Sequence, residues 1–130
     1  MEETMIILNF FHPFTEEQKL QIEELIDQKI TEIRQIPVNF DNEKPYELQV
    51  EALVKQCGFT LQEWQTERIL VIPPSYNFIT VTLLAALHGV MGYFPPVIRI
   101  RPILNSVPPR FEVAEIINLQ EIRERFRKWR

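Results

Sequence analysis

Residues 69–101, ILVIPPSYNFITVTLLAALHGVMGYFPPVIRIR, restrict the fold more than any other stretch of this chain. Four apolar residues, Ile69 to Ile72, run into Pro73-Pro74, the pattern of a short strand buried on both faces. The next segment, Phe78 to Met91, is too apolar for a surface helix. One of its faces must meet a sheet, and another a partner or lid. Gly89 and Gly92 are expected to end that helix, and Pro95-Pro96 forbid its continuation. A buried strand, a tight turn and a buried helix form the crossover unit of an α/β sheet. In such sheets ligands sit outside the carboxyl ends of the strands, which here means Pro73 to Asn77.

The flanking segments repeat that unit. Met5 to Phe10 reads as a second buried strand. Thr15 follows as an N-cap, with Gln18 placed for a capping box and Leu20, Ile22, Leu25 and Ile26 as the apolar stripe of a helix. A strand is predicted over 31–38, toward an edge, because only an edge tolerates Pro37. Tyr46 to Gln56 reads as a helix ended by Gly58, and Thr60 caps a short helical turn through Trp64. Val97 to Ile103 alternates as a half-exposed strand, and Phe111 to Ile117 reads as its antiparallel partner. Leu119 to Arg130 closes as a helix with Ile122, Phe126 and Trp129 on one side and a basic, solvated face on the other. The predicted fold is α/β: one Rossmann-like domain over 1–130, with a mostly parallel sheet, helices on both faces and a C-terminal strand pair plus helix.

Composition narrows the function. A net charge of −4 argues against an extended nucleic-acid surface, which needs a broad basic field. The single cysteine, Cys57, excludes an intrachain disulfide, and no Cys/His cluster suggests a zinc site. The acidic N-terminus lacks a signal-peptide pattern, and no segment reaches membrane-span length, so a cytoplasmic protein is expected. With no GxGxxG and no P-loop, nicotinamide, flavin and triphosphate chemistry are poorly supported, and no metal or cofactor is expected.

Two loops precede helices at the sheet's carboxyl edge, and both offer backbone N–H groups to an anion. Asn9, Phe10, Phe11, His12 and Thr15 belong to the first; Pro74, Ser75, Tyr76 and Asn77 belong to the second. Thr15, Ser75 and Asn77 are equally the residue types that cap helices. His12 is the one candidate acid–base group, and it has no carboxylate or nucleophile beside it in sequence. Thr80 and His88 form a narrow polar seam with Leu84 on the apolar helix, facing either a ligand or a second copy. Tyr93 sits in a rigid aromatic loop suited to stacking or packing. Arg99 and Arg101 have two readings: pairing with Glu112 across the hairpin, or neutralising phosphates.

The opening MIILNFFHPFTEEQ, the VIPPS turn, the block LHGVMGYFPPVIRIRP and the segment PPRFEVAEI together resemble the small CRISPR-associated Csx-fifteen family over nearly the whole chain. The block over 87–102 is the most specific of these. One departure stands at His12, where that family is expected to carry a small serine-like residue, which weakens a catalytic role for it. The resemblance implies a CARF-like domain beside a type III CRISPR system and a ligand that is a cyclic oligoadenylate, cyclic tetra-adenylate first. It further implies a two-fold homodimer presenting the same loops twice. Such a protein sequesters the ring or, as a metal-independent ring nuclease, cleaves it. An adaptor that binds a protein partner through its sheet edge and Arg-rich last helix is the expectation from a different class.

Overall fold

Two strands carry no exposed residue at all: β1 (Ile6–Asn9) and β3 (Ile69–Ile72) are buried at every position. They pair in parallel, Ile6 opposite Ile69 through Asn9 opposite Ile72, and form the centre of a five-stranded sheet. In the computed structural model, which describes residues 3–130, the strand order is β2-β1-β3-β4-β5. Here β2 is Glu32–Gln35, β4 is Val97–Pro102 and β5 is Phe111–Ile117. The first four strands are parallel, and β5 runs antiparallel to β4.

Strand alternation divides the core in two. Leu8, Ile69, Val71 and Val97 face one side, against α2 (Tyr46–Gln56), α3 (Leu61–Thr66) and α4 (Asn77–Met91). Ile7, Leu70, Ile72 and Ile98 face the other, against Ile22 and Ile26 of α1 (Glu16–Ile26). Each large apolar side chain so buried contributes about 1.5–3 kcal/mol. The chain is therefore α/β, with helices on both faces of a mostly parallel sheet.

Several expectations meet a different outcome. The edge strand β2 is shorter than 31–38: it ends at Gln35, before Pro37 removes a ladder donor. Only Gly92 ends α4, at φ 86° with its N–H donating to the His88 carbonyl, while Gly89 lies inside the helix. Leu20 and Leu25 of the α1 stripe are exposed: Leu20 stands about 200° round the helix from the buried Ile22 and faces away from the sheet, and Leu25 lies on the flank. The strand after the aromatic loop stops at Pro102 rather than Ile103. The last helix, α5 (Leu119–Arg127), buries none of its residues. Among the described residues no helix is long and apolar enough to cross a membrane.

Candidate functional site

The strand order fixes where a ligand can enter. From β1 the chain turns to α1 on one face of the sheet, and from the neighbouring β3 it turns to α4 on the other. The two connections part at the carboxyl edge and open a crevice, the position at which open α/β sheets bind ligands.

The first connection is held by its own side chains. Asn9 is fully buried; its Nδ2 donates to the His12 carbonyl and to Gln35 Oε1, both at 2.9 Å, and its Oδ1 accepts the Phe11 N–H at 2.9 Å. With both amide protons committed, Asn9 positions the loop rather than presenting a donor to a ligand. Gln35 Nε2 donates to the Phe11 carbonyl at 2.6 Å, so edge strand and loop are tied together. Thr15 caps α1 in a full capping box: its Oγ1 accepts the Gln18 N–H at 3.2 Å, and Gln18 Oε1 accepts the Thr15 N–H at 2.9 Å. Gln18 Nε2 also donates to the Phe111 carbonyl at 2.8 Å, drawing the start of β5 to the crevice. Thr15 thus has a capping role, and α1 offers an anion little.

The second connection is open. Pro73-Pro74 ends β3, and Tyr76 occupies the N-cap of α4 without any side-chain hydrogen bond to the helix. The first helical bond runs from Thr80 N–H to the Tyr76 carbonyl at 3.1 Å. Thr80 Oγ1 donates to the Pro74 carbonyl at 2.9 Å, which fixes the turn and commits Thr80 to structure. The N–H groups of Asn77, Phe78 and Ile79 precede that bond and point out of the helix end, where its dipole is positive. The Ser75 hydroxyl and the Asn77 amide are exposed beside them.

Two recesses flank this turn and share Phe11, Pro74 and Ser75 as walls. One, of about 290 Å³, is completed by Ile98, Arg99 and Phe111; the other, of about 310 Å³, by Phe10, His12, Gln35 and Tyr76. Aromatic rings surround them. Phe11 lies 4.6 Å from His12 and 6.3 Å from Phe111. Tyr76 lies 5.8 Å from Phe78 and 6.2 Å from Tyr46, the first residue of α2. Tyr76, Phe78 and Phe111 all keep more than two fifths of their surface in solvent.

Arg99 is the one arginine or lysine lining either recess, and both its Nε and Nη2 lie 2.8 Å from Glu115 Oε2. Of the two arginines expected to pair with Glu112 across the hairpin, Arg101 does so, at 3.0 Å, while Arg99 takes Glu115. His12 is exposed, and among the described residues no carboxylate bonds to it. No cluster of three His, Cys, Asp or Glu side chains able to hold a metal occurs among the described residues.

His88 and Tyr93 do not reach the crevice. His88 lies eleven residues into α4, about 16 Å along its axis. Its ring rests 4.3 Å from Phe94 near the start of β4, which is the opposite edge of the sheet. The seam drawn from Thr80 to His88 therefore has two ends with separate structural tasks. Tyr93 packs half-buried on the core, and that burial pushes its phenol above the usual tyrosine value.

The fold adds residues that periodicity did not single out. Gln35 and Phe111 enter because β2 and β5 end and begin at this edge, a consequence of strand order. Phe78 and Tyr46 enter because two helices start here; their signal was an aromatic in the first turn of a helix that follows a strand. No family model, no curated protein and no solved structure matches this chain.

Proposed function

We propose that this protein is a Rossmann-like, CARF-like receptor for a cyclic oligoadenylate, cyclic tetra-adenylate first, which it binds as a homodimer and withdraws from solution. The observation that carries this reading is the open N-terminus of α4 set among exposed aromatic rings. Backbone N–H groups and the Ser75 hydroxyl suit phosphate oxygens. Tyr76, Phe78 and Phe111 suit adenine faces, since base–aromatic stacking is worth about 1–3 kcal/mol per base. The resemblance to the Csx-fifteen family supplies the ring, and the two-fold character of that ring favours two copies of the crevice.

Binding is favoured over cleavage. Ring opening by the ligand's own 2′-hydroxyl needs in-line placement and groups that stabilise the developing charge. His12 has no partner to orient it, and Arg99 is already engaged by Glu115. Calorimetric titration with cyclic tetra-adenylate, followed by product analysis of the same sample, tests the reading. One intact ring per two chains is the expected result, and Tyr76→Ala with Phe78→Ala should weaken binding at least tenfold, by about 1–3 kcal/mol per lost stack. Linear product at many turnovers per dimer would make the protein a ring nuclease. Absence of heat would end the nucleotide reading.

A further inference from the structure

Two apolar surfaces of this chain lie open, and each has what the other lacks. The first is a groove of about 790 Å³ between α2, α3 and α4. Val54, Phe59, Leu61 and Ala86 line it, with Trp64 buried at its base. Its border along α2 is Glu47, Glu51 and Lys55, stacked at four-residue intervals. Lys55 is already paired with Glu51 at 3.6 Å. A cavity of this size is in the range that receives a ligand or a cluster of large side chains.

The second surface is α5. Only its first turn is anchored: Leu119 packs on the core, and Gln120 Oε1 accepts the Phe94 N–H at 2.9 Å. Beyond it, Ile122, Phe126 and Trp129 are 44%, 43% and 78% exposed. Steps of four and three keep them on one stripe, and the Phe126 and Trp129 rings touch at 4.6 Å. So long an apolar stripe held in water is the mark of a surface that meets a partner.

Charge identifies the partner. Residues 119–130 hold five basic and two acidic side chains, a net +3. The remaining 118 residues hold nine basic and sixteen acidic, a net −7. At 100° per residue Arg123 and Arg125 fall on opposite sides of the apolar stripe, Glu121 falls on the flank next to Arg125, and Glu124 falls on the far side. Arg123 is taken up by Glu124, whereas Arg125 has no carboxylate partner among the described residues and lies 5.3 Å over the Phe126 ring. The basic, apolar helix therefore matches an acidic-bordered, apolar groove of the same chain, and that groove stands open in the chain that carries the helix.

We propose that α5 of one copy docks into the α2–α3–α4 groove of a second copy. Ile122, Phe126 and Trp129 are the anchors of a helix-in-groove contact, and Arg125 meets the Glu47–Glu51 border. The contact joins two different patches, so a pair that exchanges helices reciprocally closes as a dimer. The proposal deepens the dimer part of the proposed function and rests on that assembly, but not on the ligand.

Sedimentation velocity of the full, ligand-free chain over a wide concentration range is the test, with tryptophan emission recorded alongside. Association should be concentration-dependent and should shift Trp129 emission to shorter wavelength. Phe126→Asp on α5 and Ala85→Arg at the exposed wall of the groove should each raise the dissociation constant at least about tenfold, as loss of an anchor does. Neither site is buried, so both variants should fold. Mixing the two variants should restore association in part, because the mixed pair still holds one of the two contacts, an intact helix in an intact groove. A wild-type chain that stays monomeric overturns the proposal, whether Trp129 is then exposed or folded back on its own chain. So does dissociation by Phe126→Asp with no effect of Ala85→Arg, which would place the helix on some other surface. Loss of ring binding with association intact would instead remove the nucleotide reading and leave this contact standing.

Discussion

Helices α1 and α4 both begin at the carboxyl edge of adjacent strands, yet one start is sealed and the other is not. At α1, Thr15 and Gln18 satisfy each other's backbone donors, and buried Asn9 holds the preceding loop from within. At α4, Pro73-Pro74 sets the turn, Thr80 braces it from one helical turn further on, and the side chain of the N-cap Tyr76 makes no bond to the helix. Every helix leaves N–H groups without an intrahelical partner, and side chains, water or a ligand must satisfy them. The sealed start spends side chains on stability. The open one keeps its donors for whatever enters the crevice. The same local physics thus separates a sealed scaffold turn from the candidate site within a few residues.

The largest expected effect lies on the sealed side. Asn9→Ala removes three hydrogen bonds from a fully buried position and strands the Phe11 N–H and the His12 carbonyl. Leaving such groups unpaired should lower stability by about 3 kcal/mol. Ser75→Ala on the open side removes an exposed hydroxyl and should stay within about 0.5 kcal/mol of wild type. Urea unfolding of the two variants compares them directly, and equal midpoints would erase the distinction between scaffold and site.

Next in size is a change that can be made identically at both helices. Proline at the first helical position keeps the helix and deletes one N–H. Asn77→Pro at α4 should weaken cyclic tetra-adenylate binding roughly tenfold, the loss of one hydrogen bond to a charged group. Glu16→Pro at α1 should leave binding unaltered, since that helix start faces its own capping box. If both prolines weaken binding alike, the ligand uses both starts and the asymmetry is only structural. The reverse pattern comes from the cap itself: Thr15→Ala should cost about 1 kcal/mol of stability and leave ring affinity as it was.

How much of this was legible beforehand follows the range of the forces involved. The Thr15–Gln18 box, the Thr60 cap, the buried strands and the Val97/Phe111 hairpin all depend on neighbours a few residues away, and local pattern located them. The crevice was legible as a place, because strand-to-helix turns mark the carboxyl edge in any parallel sheet. Its walls were not. Phe111 reaches it from 93 residues beyond Gln18, through a hydrogen bond that only the strand order brings about. His88 escapes the local pattern for the opposite reason: helical spacing puts it in line with Thr80, but it lies about three turns from the start of α4, at the far edge. The apolar stripe of α5 was also legible as a stripe. That it would lie uncovered depends on where β5 ends, which no local pattern encodes.

The smallest expected effect again compares two capping boxes. At α3 the box is Thr60 with Glu63: Glu63 Oε1 accepts the Thr60 N–H at 2.9 Å, and Thr60 Oγ1 accepts the Glu63 N–H at 3.1 Å. The Thr60 N–H bond holds the Glu63 carboxyl below its ordinary value, with the Arg34 guanidinium assisting. At α1 the same position is Gln18, which does not titrate. A carboxylate whose folded pKa is depressed adds stability that is present above the unfolded glutamate value, near 4.3, and lost as pH falls through the folded one. Acidification should therefore loosen the α3 box and leave the α1 box intact. Glu63→Gln converts the first into the second. Wild type should be the more stable of the two at neutral pH, and the difference should vanish as the medium is taken below the carboxylate range. A difference that persisted in acid would mean that the Glu63 charge is not its source, and no difference at neutral pH would make the two boxes equivalent.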